Sequence, residues 1–345
     1  MRQKVLICDY PNALECNYKP TMQSVTETYL SCQTGNSGLR ENMPVEFEVY
    51  PYENDTALIK KLCGVTGLIT GFLEIGEDIL SQAENLSCIS VSGAGYSNID
   101  MQAAQKHGVT VCHIREYCTE EVAEHTFALI GALNRNLKYY SKKIEKDYEW
   151  KYHTISGGKN LTSQTLAVFG FGKIGRRVAQ IAMAYGMKVL AVDPFTAQNP
   201  HLKEEAEKTG IEIVPAEEAF IRADIISNHM NLTDENYHFF NDVTFHKMQK
   251  SPIFINVARG GSVDEKALVR ALDSKKIRAA GLDVLEAEKP GLKGNPLLLR
   301  ENVILTPHSA FYSEESIEKL QTISGANMGY FLGGAPEKVS EIVKK

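Results

Sequence analysis

The stretch from Leu166 to Asp193 constrains this chain more than any other. An apolar run, Leu166 to Phe169, leads straight into Gly170-Phe171-Gly172-Lys173-Ile174-Gly175. Val178, Ile181, Ala182 and Tyr185 then recur at helical spacing, Gly186 stands where a helix ends, and Lys188 to Val192 reads as a second strand. A bare G-x-G-x-x-G is a weak signal, but strand, turn, helix and second strand together describe a βαβ unit. In such a unit Gly170 permits the tight turn, Gly172 lets backbone approach a pyrophosphate, and Gly175 lets the helix pack closely, so that phosphates meet the helix N-terminus. Asp193 ends the second strand, 193 − 175 = 18 residues past the last glycine, where an acid accepts hydrogen bonds from an adenosine ribose. Pro194-Phe195-Thr196 offers no arginine for a 2′-phosphate, so the pattern favours NAD over NADP.

The rest of the chain has the same rhythm. Short β-branched runs at Val5 to Tyr10, Val45 to Tyr50, Gly67 to Gly71, Cys88 to Val91 and Val109 to His113 precede the nucleotide unit. Runs at Asp224 to Asn228, Ile253 to Val257, Ala279 to Leu282 and Val303 to Leu305 follow it, and helix-like pieces lie between. With 345 residues, two α/β domains are expected, the strands from Leu166 onward forming one parallel sheet of six. Pro11 to Pro44 is polar and longer than an ordinary connection, so it reads as an insertion of unknown order. Thr119 is a candidate cap for an apolar helix over 119–135, and the C-terminal helix begins near Glu314.

Composition excludes several classes. Thirty-seven Lys and Arg against 43 Asp and Glu leave a net charge of −6, which weakens the case for nucleic acid. No apolar run reaches 18 residues, and Met1 to Asp9 is too short an apolar stretch for a signal peptide, so neither a membrane partner nor export is expected and the location expected is cytoplasmic. Seven cysteines without C-x-x-C suggest neither a disulfide framework nor a zinc knuckle; a metal site at Cys112, His113 and Cys118 lacks ligand spacing, and no metal is expected.

In an open parallel sheet, ligands lie beyond the carboxyl ends of strands, and three chemically apt residues sit there. Arg259 closes the Ile253 run, Glu286 or Glu288 follows the Ala279 run, and His308 closes the Val303 run. An imidazole delivers a proton to a forming alkoxide near neutral pH, a neighbouring carboxylate favours its charged form, and a guanidinium grips a carboxylate through two parallel N–H bonds. That trio suits hydride transfer to a 2-keto acid.

Several motifs together resemble the NAD-dependent D-2-hydroxyacid dehydrogenase family over nearly the whole chain: Val91-Ser-Gly-Ala-Gly-Tyr-Ser-Asn-Ile-Asp100, Glu121-Val-Ala-Glu-His125, the Gly170 turn, Asn256-Val-Ala-Arg-Gly-Gly261, Gly281-Leu-Asp-Val284 and Thr306-Pro-His-Ser309. The resemblance implies catalytic Arg259, Glu288 and His308, selecting Glu288 because the family's acid lies five residues after Asp283. It implies cofactor contacts from Gly170, Gly172, Lys173, Ile174, Gly175, Asp193, Met230, Asn231, Asn236, Val257, Ala258 and Asp283, the last orienting the nicotinamide carboxamide. It makes Gly93-Ala94-Gly95 a carboxylate cradle of consecutive N–H groups, with Tyr96 and Phe311 on the substrate side. The implied fold is α/β, two Rossmann-like or flavodoxin-like parallel-sheet domains. The discontinuous substrate domain would take 1–117 and 310–345, the dinucleotide-binding domain 118–309, and closure about the hinge between them would exclude water. The implied partners are a 2-keto or 2-hydroxy acid and a second copy of the chain, with Leu137 to Lys151 either part of the dimer face or a solvated helix.

Departures stand at Met230-Asn231, where the family carries a proline, and at Lys289-Pro290 after Glu288. The segment His308-Ser-Ala-Phe-Tyr312 resembles the D-lactate, D-2-hydroxyisocaproate and C-terminal-binding corepressor branches. An NADH-sensing scaffold is therefore the alternative to an enzyme.

Overall fold

The computed structural model describes residues 3–14, 17–33, 45–156, 158–287 and 292–343. They form two compact units, Met1–Tyr117 with Ser313–Lys345, and Cys118–Tyr312. The first unit runs β1 (Lys4–Asp9), α1 (Lys19–Gln33), β2 (Glu46–Pro51), α2 (Asp55–Leu62), β3 (Gly67–Thr70), α3 (Glu77–Leu80), β4 (Cys88–Val91), α4 (Met101–Lys106) and β5 (Thr110–His113). The second opens with two helices, α5 (Thr119–Asn134) and α6 (Leu137–Asp147), and then alternates: β6 (Thr165–Phe169), α7 (Lys173–Ala184), β7 (Lys188–Val192), α8 (Pro194–Gln198), α9 (Pro200–Lys208), β8 (Glu212–Ile213), α10 (Ala216–Arg222), β9 (Ile225–Asn228), α11 (Asp242–Lys247), β10 (Ile253–Asn256), α12 (Glu265–Asp273), β11 (Ala279–Leu282) and β12 (Val303–Leu305). The chain then returns to the first unit through α13 (Glu314–Leu332) and β13 (Glu341–Ile342).

In the first sheet the order is β13-β5-β4-β3-β1-β2, parallel except for β13 against β5. Without the terminal β13 this is the doubly wound flavodoxin-like order, with its reversal between β1 and β3. Alternation along β1 sends Leu6 and Cys8 into one apolar layer and Val5 and Ile7 into another, so the sheet is covered on both faces. The second sheet reads β12-β11-β10-β9-β6-β7-β8, all parallel, which is the Rossmann order extended by one strand, with its reversal between β6 and β9. Its core is aromatic: Phe169, Phe220, Phe240, Phe245 and Phe254 are all buried and in mutual ring contact.

Several expectations change. The second sheet has seven strands, not six, because the two-residue β8 pairs with β7. Part of 11–44 is ordered secondary structure: in α1, Met22, Val25 and Tyr29 form a stripe, continuous with Tyr18, against the apolar layer that contains Met328 of α13. Residues 34–44 lie outside the described residues. The N-cap of α5 is Cys118 and Thr119 is the first helical residue, so the threonine does not cap it; Glu120 and Glu121 do sit in its first turn. The crossing back to the first unit falls after Tyr312, not after 309, because Ala310 N–H donates to the Asp283 carboxylate and Tyr312 N–H to the Ser309 carbonyl.

Candidate active site

The glycine turn sits at the reversal of the second sheet. Gly170 has φ +86°, and a Cβ there would stand 2.7 Å from the His229 carbonyl carbon and the Met230 nitrogen, which follow β9. A Cβ on Gly175 would meet the Gly170 carbonyl oxygen at 2.1 Å. Those two glycines are required by the protein's own packing. Gly172 is different: nothing lies within 4 Å of a Cβ there, and its φ of −75° is open to any residue. As N-cap of α7 it supplies no side-chain oxygen to the first-turn N–H groups. A bare helix N-terminus facing clear space is what a pyrophosphate needs. Lys173 and Ile174 begin that helix. Asp193, half-buried at the end of β7, accepts hydrogen bonds from Thr196 N–H (2.7 Å) and Phe171 N–H (2.9 Å), which ties the acid to the turn itself. The donor set and the space fit NAD.

Beyond β9 and β10 a buried polar network shapes the next two loops. Asn228 donates to Asn256 Oδ1 (3.0 Å) and Ser262 Oγ (2.8 Å), and accepts from Met230 N–H (3.2 Å). Asn256 and Ser262 both donate to the Arg259 carbonyl, at 3.1 and 2.7 Å. All three side chains are almost completely buried. The network bonds both the backbone that follows Asn228 and the backbone of Arg259, and sequence reasoning missed it, because a strand-end Asn or Ser has no signature until its partners are known. Val257 and Ala258 are buried beside it, and Met230 packs on the core. Asn231 is exposed. Asn236 accepts from Thr233 N–H (2.8 Å) and donates to the Asn231 carbonyl (2.7 Å), bonds that close its own loop.

Strand register ends β10, β11 and β12 at one level, and two of the three expected catalytic residues follow those ends. Asn256 pairs with Leu282 and Leu282 with Leu305, so β10, β11 and β12 end level. Arg259 lies 259 − 256 = 3 residues past that level and His308 lies 308 − 305 = 3 past it, on strands about 10 Å apart across β11. Gly260 locks the Arg259 loop down, since a Cβ there would lie 1.9 Å from the Leu285 carbonyl oxygen on the segment that follows β11. Glu288 lies outside the described residues. Glu286, the other acid in that stretch, accepts from Tyr237 (2.5 Å) and shares a 2.9 Å hydrogen bond with His238.

His308 sits at φ +51°, half-buried, with its N–H donating to the Asp283 carbonyl (2.8 Å). The Asp283 carboxylate is buried, its side chain 1% exposed. It accepts from Thr306 Oγ1 (2.5 Å), Ser309 N–H (2.9 Å) and Ala310 N–H (2.9 Å), and so holds the turn that carries His308. Thr306 Oγ1 in turn shares a 3.0 Å hydrogen bond with His125 Nε2 of α5. Phe311 stands edge-on to the His308 ring, centroids 6.3 Å apart.

In the first unit, the Gly93-Ala94-Gly95 loop follows β4. Gly93 N–H donates to the Val91 carbonyl (2.9 Å). Tyr96 packs against His113, ring centroids 4.9 Å apart, and burial pushes that imidazole below its usual range. Among the described residues no helix is long and apolar enough to cross a membrane, and no three His, Cys, Asp or Glu side chains gather to hold a metal ion.

Comparison with known proteins agrees with this geometry. Residues 127–310 match the family described as D-isomer specific 2-hydroxyacid dehydrogenase, NAD binding domain. The chain is 38% identical over 262 residues to a D-3-phosphoglycerate dehydrogenase of Methanocaldococcus jannaschii, covering 76% of this chain and 48% of that protein. It thus spans about half the length of that relative. A glyoxylate reductase of Korarchaeum cryptofilum is 34% identical over 79% of this chain and 81% of its own length. Among solved structures, a D-lactate dehydrogenase from Aquifex aeolicus complexed with NAD and lactic acid superposes with a TM-score of 0.80 at 29% identity, covering 98% of each chain. The chain belongs to the D-isomer specific 2-hydroxyacid dehydrogenase family, and its second unit carries that family's NAD-binding domain.

Proposed function

We propose that this protein reversibly reduces a 2-keto acid to the D-2-hydroxy acid with NADH, the second unit holding the dinucleotide and the first serving as the substrate domain. The observation that supports the reading is that β10 and β12 end level, each followed within three residues by Arg259 or His308, on the sheet whose reversal holds the Gly170 turn. Bound NADH supplies the hydride. Arg259 grips the substrate carboxylate and polarises the adjoining carbonyl, and His308, paired with Glu288, protonates the oxygen as it becomes an alcohol. Asp283 and His125 act through the His308 turn and Asn228 through the Arg259 loop. Ala94, Gly95 and Tyr96 are assigned to the substrate, with Phe311 meeting its side chain. Val257 and Ala258 line the nicotinamide end.

The relatives named above act on different acids, so the side chain accepted is read from a panel. NADH oxidation is followed with pyruvate, hydroxypyruvate, glyoxylate, 2-ketoisocaproate and phenylpyruvate, and NAD reduction with D-3-phosphoglycerate. Removing a general acid costs about 10²- to 10⁴-fold, so His308→Ala should lose that much kcat on the best substrate while NADH still binds. Equal rates in the variant would remove His308 from the chemistry.

A homodimer built on the α5–α6 region is part of this proposal. Tyr148, Trp150 and Tyr152 are 89%, 86% and 85% exposed, a concentration of aromatic surface that supports a protein–protein contact there.

A further inference from the structure

The second unit has a cavity of about 360 Å³ at the opposite edge of its sheet, where strands begin rather than end. Asp224 precedes β9, Ser251 lies two residues before β10, Ala279 opens β11 and Asn302 precedes β12, and all four line it. Arg259 and His308 lie beyond the far ends of those strands, so this space is separate from the dinucleotide crevice.

Its charge is unbalanced. Lys138, Lys159, Lys250 and Arg278 line it with two carboxylates, Asp224 and Glu301, leaving 4 − 2 = 2 positive charges in a chain whose net charge is −6. Both carboxylates are already engaged. Asp224 accepts from Lys159 (3.2 Å), Lys250 (3.1 Å) and Thr165 N–H (3.1 Å). Burial works against its charge, but those three donors hold its carboxyl below the ordinary range. Glu301 pairs with Lys142 at 2.9 Å.

Two further cations make no ion pair among the described residues. The Lys138 ammonium donates to the carbonyls of Arg300 (2.8 Å) and Val303 (2.6 Å). Arg278 uses one guanidinium nitrogen on the neutral oxygens of Asn134 (3.2 Å) and Gln164 (3.1 Å), and makes no ion pair among the described residues. Burial lowers the pKa of both groups, against the pull of Glu301 on Lys138 and of Asp224 on Arg278. Desolvated cations without a directly bonded anion are costly, and a planar guanidinium fork matches an oxyanion.

We propose that this cavity binds a small doubly charged oxyanion, a phosphate ester or a dicarboxylate, with Arg278 as its main anchor and Lys138, Lys159 and Lys250 around it. The volume, near the lower end for small-molecule sites, admits such a ligand and little more.

Calorimetric titration of the full chain with inorganic phosphate and, separately, malonate tests this, at constant ionic strength and with saturating NADH so that the Gly172 turn is filled. One molecule per chain should bind. Arg278→Gln should weaken binding at least tenfold, and Lys159→Gln and Lys250→Gln, on the open rim, severalfold each. Binding of phosphate alone assigns the site to a phosphate ester, and of malonate alone to a dicarboxylate. Arg278→Gln removes bonds to Asn134 and Gln164, so should it fail to fold, the two lysine variants decide. The proposal is overturned by no heat with either anion, or by unchanged affinity in the variants that fold. Neither result touches the proposed reaction, since no substrate is turned over.

Discussion

Gly172 and Gly175 are three residues apart in one turn, yet the structure makes opposite demands on them, and alanine at each position tests whether that turn is built for a ligand. At Gly175 a methyl group would lie 2.1 Å from the Gly170 carbonyl oxygen and 3.1 Å from Val168 Cγ1, so α7 must move off β6. Overpacking of this kind costs about 1–3 kcal/mol or more. The second unit spans 312 − 118 + 1 = 195 residues, for which each kcal/mol corresponds to roughly 2–4 °C in Tm, so Gly175→Ala should melt about 2–12 °C lower. At Gly172 the methyl group enters open space from an unstrained backbone, and stability should stay within about 0.5 kcal/mol of wild type. The same methyl group fills the space assigned to the pyrophosphate. Losing one or two charge-assisted hydrogen bonds there, about 1.5–3 kcal/mol each, should weaken NADH about tenfold or more. Thermal melts of cofactor-free protein and fluorescence titration with NADH provide the two readouts. If Gly172→Ala bound NADH like wild type, or melted as low as Gly175→Ala, the reasoning would be wrong.

Other perturbations probe the supporting structure. Ser262→Ala strips a hydrogen bond from buried Asn228 and another from the Arg259 carbonyl; leaving buried groups unpaired costs about 1–3 kcal/mol, so Tm should fall, and kcat/KM should fall with it as Arg259 loosens. A normal kcat/KM in a folded variant would show that the network does not position Arg259. His229 has its Nδ1 sealed from solvent without a hydrogen bond, and burial drops its pKa to about 3, so the unfolded chain binds the extra proton below about pH 6.5. Stability should therefore decline as pH falls from about 6.5 toward 3, by up to about 1.4 kcal/mol per unit from this residue, and denaturant titrations of His229→Gln should show a correspondingly shallower slope. Charge placed on the exposed aromatic surface, as in Trp150→Glu with Tyr152→Glu, should shift the sedimentation coefficient to that of a monomer. A wild type that is already monomeric would remove the dimer from the proposal.

Strands and nucleotide turn were legible because their determinants are local. Buried parallel strands are continuous apolar runs, and a tight turn against a neighbouring chain needs glycine whatever surrounds it, as Gly170 illustrates. Arg259 and His308 could be proposed because a parallel sheet puts its strand ends on one edge, so a polar residue just after an apolar run is placed at that edge. What escaped was pairwise. The bonds from Thr306, Ser309 and Ala310 to the Asp283 carboxylate, and those that close the Asn236 loop, leave no sequence pattern. The strand β8, two residues long, is too brief to leave a pattern and exists through its pairing with β7.

Helix α1 shows the boundary most clearly. Its apolar stripe is sparse enough to pass for an inserted polar loop, and alone it buries little. The close approach of α13 stabilises it: Gly325, Gly329 and Gly333 stand one turn apart, where a Cβ would collide with the Thr21 carbonyl, Thr28 Oγ1 and Cys32 Cβ. The sequence by itself determined the α/β class, the nucleotide turn and the chemical identity of the residues at the strand ends, because each depends on neighbours a few positions away. Only tertiary structure decided which polar groups the protein's own hydrogen bonds take up, since most buried donors find an acceptor, and that acceptor is set by how distant segments pack.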